Sequence, residues 1–469
     1  MPVQRFTSPT PSTLARSIFL LLVVAVFSDR SGITPAQAQD VAGMHVRVLL
    51  SREIDKTIVR VPPIGAILVD TDSKRTYPLP PGAALSATKS DRGVQLSWND
   101  NAVRGHSFAL TTEPEHVFQI GANTYGGTLE FLLHPKTGHP RIVNVVPLEE
   151  YVAAVISAEY GLKDTEGTRA MAVVARTYAL ATQESGQLLH DDERSQVFRG
   201  LSFTTPAAQK AANDTAGYVL LHGNELVEAV YSASNGGYTA SNTSVWDTPS
   251  RPYLAARKDP FDAVSPYSEW QFDVDKNVMH DLLSRRYGAS IHEVRVLDTA
   301  PDGRVRTIEL RAKGSGDRVV SGTAFRALLA DAYGPKSARS TFFSLDDRGK
   351  SYHLEGRGFG HGVGLSQWGA HGRALEGHDH RDILAFYYPG SRLERLSSPP
   401  VSVPSGPILA ALPAPDAPSQ TVSDRNPITQ EKKSGRILDA HSAWGRATNS
   451  PSSPVEEEDP KPTVRRVGW

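Results

Sequence analysis

The 469-residue chain contains no cysteine and only four methionines, and its formal net charge at neutral pH is −1. Without cysteine there can be no disulfides, thiolate metal sites or lipid-anchored cysteine, so the fold must be held by its core. The near balance of charge removes any electrostatic case for nucleic acid as a partner. Long apolar runs are also scarce. The most apolar one, IFLLLVVAVF at 18–27, is about half of the roughly 20 residues that a membrane-spanning helix requires. Arg5 and Arg16 precede it, and Ala36 and Ala38 follow in an Ala-x-Ala pattern. These features predict a signal peptide over residues 1–38, a mature chain from about Gln39, and export to the periplasm or cell wall.

What is present divides into stretches of different character. Between Val41 and Val146, β-prone runs such as HVRVLL, GAILVD, GVQLSW, TLEFLL and RIVNVV alternate with turns, which predicts a β-rich N-terminal lobe over 39–146. At Pro147 the period changes. LEEYVAAVISAEY and GTRAMAVVARTYALATQES read as helices opening a core region over 147–394, and the alanines of the second allow close packing. Within that region, residues from about 270 to 345 form an α+β block of their own, with a hairpin turning at Asp302-Gly303. From 395 to 469 Pro, Ser and charged residues dominate, the composition of a disordered tail. The expected class is α+β: a β-rich N-terminal lobe, a helical catalytic core with the inserted small block, and the tail.

One carboxylate stands out on the first helix. At about 100° per residue, Leu148, Val152, Val155 and Glu159 share a single stripe, while Glu149 and Glu150 point elsewhere. A carboxyl group on a buried stripe is either paired or protonated. In the second case desolvation raises its pKa toward that of a general acid working near neutrality. In the first it is a structural partner of Arg169 or Arg176 on the next helix, or it frays into solvent at the helix end. The helix projection alone does not choose between these.

A second unusual stretch is GRGFGHGVGLSQWGAHG at 356–372, with seven glycines. It matches neither common phosphate loop. The spacing of His361 and His371 fits no helical metal pair, and the histidines at 378 and 380 read as solvated. Two readings of the glycines remain: a backbone floor that lets a ligand approach, lined by His361, Gln367 and Trp368, or tight turns with Trp368 filling the core. Ser232 and Ser234 lack the strand-to-helix elbow of a serine hydrolase.

These segments, taken in order, resemble the stage II sporulation protein D / amidase enhancer family of bacterial cell-wall proteins. The resemblance rests on VPLEEYVAAVISAEY (146–160), AMAVVARTYAL (170–180), VYSASNGGYTASNTSVW with PYLAARKD (230–259), and GRGFGHGVGLSQWGA with ILAFYYPG (356–390), and covers roughly residues 45–394. It implies a lytic transglycosylase that cuts the MurNAc-GlcNAc bond of peptide-stripped peptidoglycan and leaves 1,6-anhydro-MurNAc ends. The family's catalytic glutamate falls on Glu159, with Tyr231, Ser232, Thr239, His361, Gln367 and Arg176 as candidate substrate-binding residues. The implied partners are glycan strands and an N-acetylmuramoyl-L-alanine amidase, and the alternative reading is a non-catalytic, glycan-binding amidase enhancer. Some relatives carry a Cys/His zinc site where this chain reads LLHDDERSQVFRG. Without cysteine, and with His190, Asp191 and Asp192 a poor substitute, no metal or other cofactor is expected.

Overall fold

The computed structural model describes residues 43–51, 57–91, 93–246 and 248–396, with a short strand at Ile437–Leu438. The signal segment and nearly all of the predicted tail lie outside the described residues. The class is α+β, with a β-rich N-terminal region followed by the helices. No helix among the described residues is long and apolar enough to cross a membrane.

Two mainly antiparallel sheets, one of seven and one of six strands, organise the N-terminal region. Alternation of side chains explains their shared core. In Gly93–Trp98 the residues Val94, Leu96 and Trp98 point inward, with Gln95 and Ser97 between them. The larger sheet is nearly all antiparallel, but its edge strand, Leu189–His190, joins His45–Leu50 in parallel. Pro140–Pro147 is the strand that matters for the site. It pairs with His45–Leu50 on one side and Thr128–Leu133 on the other, then runs without a loop into the first helix.

Helix α1 (Leu148–Glu159) has no side-chain cap, but the Leu148 N–H bonds the Met44 carbonyl, so the sheet itself closes its first turn. Leu148, Tyr151, Val152, Ala153, Val155 and Ile156 are all buried, which makes α1 a central helix rather than a surface one. Fully burying side chains such as these valines contributes about 1.5–3 kcal/mol each. Helix α2 (Thr165–Glu184) is capped by Asp164 and packs against α1, and its Ala170, Ala172, Ala175 and Ala179 are all inaccessible to solvent. Helix α3 (Pro206–Asp214) covers both.

The chain then enters the motif region. Tyr218–His222 turns into Glu225–Leu226 as a hairpin. The next strand, Tyr231–Ser232, leaves that hairpin and pairs in parallel with Leu365–Ser366, some 130 residues away in sequence. Helix α4 (Asn242–Val245) is a single turn. Residues 270–356 build a second hydrophobic core, distinct from the main one, around Met279, Leu283, Ile308, Leu310, Phe325, Leu329 and Leu354. It contains helix α5 (Lys276–Tyr287), the hairpin Ser290–Thr299/Val305–Lys313, and helix α6 (Gly322–Tyr333). Helices α7 (Gln367–Leu375) and α8 (His380–Tyr387) return to the main core.

Candidate active site

Glu159 is the last residue of α1 and only 5% exposed. The alternative that it pairs with an arginine of α2 does not hold. Arg176 bonds both carboxylate oxygens of Glu149, and Arg169 is taken by Glu166 and Asp214. Glu159 instead faces the loop after Leu189–His190. Its Oε1 accepts the Val197 N–H at 2.8 Å, and the Tyr231 side chain also hydrogen-bonds the carboxyl.

A chain of buried donors stands behind this pair. The Tyr151 hydroxyl donates to Gln196 Oε1 at 3.0 Å, and Gln196 Nε2 donates to the Tyr231 hydroxyl at 3.4 Å. Burial raises the Glu159 pKa to about 7, opposed by the Val197 and Tyr231 hydrogen bonds. The exposed Glu193 adds to the rise and the exposed Arg199 reduces it. The position at a helix C-terminus acts in the same direction as burial, since the helix dipole disfavours a negative charge there. Tyr151 and Tyr231 are held far above the ordinary phenol range by burial and by the neighbouring carboxyl, so both stay protonated as donors. The arrangement therefore provides a carboxyl group that holds or releases a proton near neutrality, oriented by fixed donors.

His361 lies on the other side of Tyr231. Its Nδ1 accepts the Val363 N–H at 3.1 Å, its ring bonds the Tyr231 backbone, and it meets the Trp246 ring at a tilt of 46° with centroids 5.1 Å apart. Burial lowers its pKa to about 4, so it is neutral. Tyr231 thus meets Glu159 through its side chain and His361 through its backbone, with His361 positioning the Tyr231 strand. Gln196 joins this group through Tyr231, and Trp246 adjoins it through His361. Gln196 carried no sequence signal beyond its place in QVFRG, and Trp246 only its place in the SNTSVW segment.

The other candidate substrate-binding residues are all buried. Arg176 is completely buried, bound to Glu149 and to the carbonyls of Ala212 and Tyr218, so it ties α1, α2 and the following strand together rather than meeting a substrate. Thr239 is buried and caps its own strand pair, donating to the Ala255 carbonyl and accepting the Arg257 N–H. Ser232 is buried and accepts the Gly362 N–H. Gln367 is buried as the first residue of α7. His380, read as solvated, is bonded through its ring and its N–H to Glu166. His371 is bonded to Asp164 at 2.7 Å, and Trp368 meets its ring edge-on.

The glycine-rich segment is also not a ligand floor. A Cβ at Gly364 would overlap the Val230 carbonyl oxygen, and one at Gly360 would lie 2.7 Å from Ser232 Cβ. The other five glycines of the segment meet protein atoms as closely, among them Trp270, Gly236, Arg304, Tyr387 and Phe261. Behind this packing sit two buried aspartates that sequence reasoning missed. Asp262 accepts from the hydroxyls of Ser234 and Ser366 and the N–H of Gly236. Asp259 accepts from Asn235, the Tyr387 hydroxyl and Arg373. Together they fasten SNGG to SQWG. Among the described residues, the grouping close enough to share a cation is Glu113, Glu115 and His116, in the turn before Phe118–Ile120.

The protein is thus of the α+β class, with a buried glutamate where a strand-led helix meets a polar loop, and known proteins resemble it in sequence. A family model described as "Stage II sporulation protein" matches residues 136–222, the stretch that holds Glu159, and one for a domain of unknown function matches residues 268–364. The chain is 29% identical over 270 residues to the amidase enhancer of Bacillus subtilis (strain 168), covering 49% of this chain and 38% of that protein. It is 27% identical over 312 residues to the stage II sporulation protein D of the same organism, covering 62% and 86%. The protein of that name from Bacillus amyloliquefaciens is 27% identical over 286 residues, covering 56% and 78%. These matches support a relation to the stage II sporulation protein D / amidase enhancer family.

Proposed function

We propose that the protein acts on the bacterial cell wall as an exported lytic transglycosylase of peptide-stripped peptidoglycan glycan, with Glu159 as its acid and base. The observation that carries this reading is the buried, proton-retaining Glu159 carboxyl held by Val197 and Tyr231 at a loop edge. Protonated Glu159 donates to the glycosidic oxygen as the C1–O bond breaks. The resulting carboxylate, which the Tyr231 and Val197 donors stabilise, then takes the proton from the muramic 6-hydroxyl as that oxygen closes on C1. The proton returns to Glu159, no water is consumed, and the product ends in 1,6-anhydro-MurNAc. Because the nucleophile belongs to the substrate, a second catalytic carboxylate is not required, unlike in the paired-carboxylate hydrolases.

A second reading, a non-cutting enhancer of a partner amidase, is supported by the name of one relative. Mass spectrometry of stripped glycan incubated with wild type and with Glu159→Gln separates the two. Anhydro ends from wild type alone support the proposal. Reducing ends make the protein a hydrolase, and glycan binding without cleavage by either protein favours the enhancer.

A further inference from the structure

Besides Glu159, the loop 189–199 shapes a second feature. A cavity of about 380 Å³ opens between the end of His45–Leu50, the turn from His134 to His139, and Arg194 of this loop, with Arg141 in its wall. The lining includes two arginines and two histidines. Arg194 is satisfied by Asp192 and Ser51. His134 Nδ1 accepts the N–H groups of Lys136 and Thr137, which leaves its other ring nitrogen as the proton-bearing one. Arg141 differs from both: it is half-buried, its Nε is shielded from solvent with no partner, and no described carboxylate pairs with it. The neighbouring cation Arg47 is already neutralised by Glu130. Burial and Arg47 both work against the charge on Arg141. A half-buried guanidinium with no carboxylate partner, in an open pocket whose other arginine is already paired, fits an anion supplied from outside.

The position suggests which anion. Arg194 is three residues from Val197, whose N–H holds Glu159, so the Cα atoms of these two loop residues, one at the pocket wall and one at the candidate acid, lie at most about 10 Å apart. That is the length scale of a disaccharide. We propose that this pocket is a carboxylate subsite of the glycan cleft, in which Arg141 takes the free lactyl carboxylate of a muramic residue neighbouring the one cleaved. The inference rests on the reading of Glu159 as a glycan-cleaving acid. It gives that reading a physical basis for preferring stripped strands, because a stem peptide converts the lactyl carboxylate into an amide and removes the charge that the guanidinium recognises.

The test measures binding in the non-cleaving Glu159→Gln protein by isothermal titration with two ligands: stripped glycan strands, and the same strands with their lactyl carboxylates converted to methylamides. Adding Arg141→Gln is expected to weaken binding of the free-carboxylate strands about tenfold and to leave the amidated strands unaffected, with Arg141→Lys recovering part of the loss. Equal loss on both ligands, or no loss on either, overturns the subsite. In the protein with Glu159 intact, Arg141→Gln should raise KM and leave kcat unchanged. Cleavage with an unaltered KM overturns the subsite alone, whereas wild type that neither binds nor cuts stripped glycan overturns the Glu159 reading as well.

Discussion

The end of α1 and the segment 356–372 are the two most distinctive stretches of this chain, and they are built in opposite ways. Around Glu159 a single ionisable group is surrounded by donors that leave it able to change protonation state. Around the glycines every space is filled by the protein's own side chains and backbone, and the buried carboxyl groups of Asp259 and Asp262 are locked by several hydrogen bonds each. The first arrangement suits chemistry and the second suits rigidity. An unusual motif can therefore mark the support of a site rather than its reacting groups.

The sharpest way to break this contrast is to exchange the expected effects. Glu159→Gln should lower glycan cleavage by about a thousandfold while the protein stays folded, as read by circular dichroism and by release of anhydro ends. A variant that loses its fold instead would place Glu159 on the structural side. Gly364→Ala should do the reverse, since the residue has φ 71° and a Cβ there strikes the Val230 carbonyl. Denaturant unfolding should show a loss of about 3 kcal/mol or more, and a loss of activity without a loss of stability would contradict the packing role.

pH sharpens the comparison further. With the Glu159 pKa near 7, the acid form is lost above that value, so cleavage should fall about tenfold per pH unit on the alkaline side. The stability effect has a definite sign. The folded pKa lies above the ordinary 4.5, so the ionised form is penalised by the fold. Stability from this group is full below about 4.5, declines as pH rises toward 7, and then levels off. Glu159→Gln should abolish that decline in thermal melts recorded across this window. A wild-type melting temperature indifferent to pH there would argue that Glu159 is solvated. Tyr231→Phe is expected to have the smallest effect of the four, a fall in kcat of about tenfold. It should also move the alkaline limb upward, because the hydroxyl lowers the Glu159 pKa. An unmoved limb would mean that the hydroxyl does not touch the acid in solution.

Much of this was legible from periodicity. The stripe of Leu148, Val152, Val155 and Glu159 is buried as projected, and most of the β-prone runs became strands. What was not legible depended on long-range packing. Arg176 on an alanine-rich helix looks the same in sequence whether it meets a sugar or Glu149. Asp259 and Asp262 read as loop polarity until Ser234, Ser366 and Tyr387 converge on them. Gaps at glycines can be filled by a ligand or by another part of the chain, and only the partner 130 residues away at Tyr231–Ser232 decides which.

Arg304 lies at the turn of the hairpin in the smaller core, yet its guanidinium donates to the carbonyls of Asn235 and Tyr238 in the main body and occupies the space that Gly362 leaves open. The inserted block is consequently a keystone rather than a passenger. Neither core can reach its final packing until the other has presented its half of this contact, so the two should melt in one calorimetric transition, and Arg304→Ala should split it.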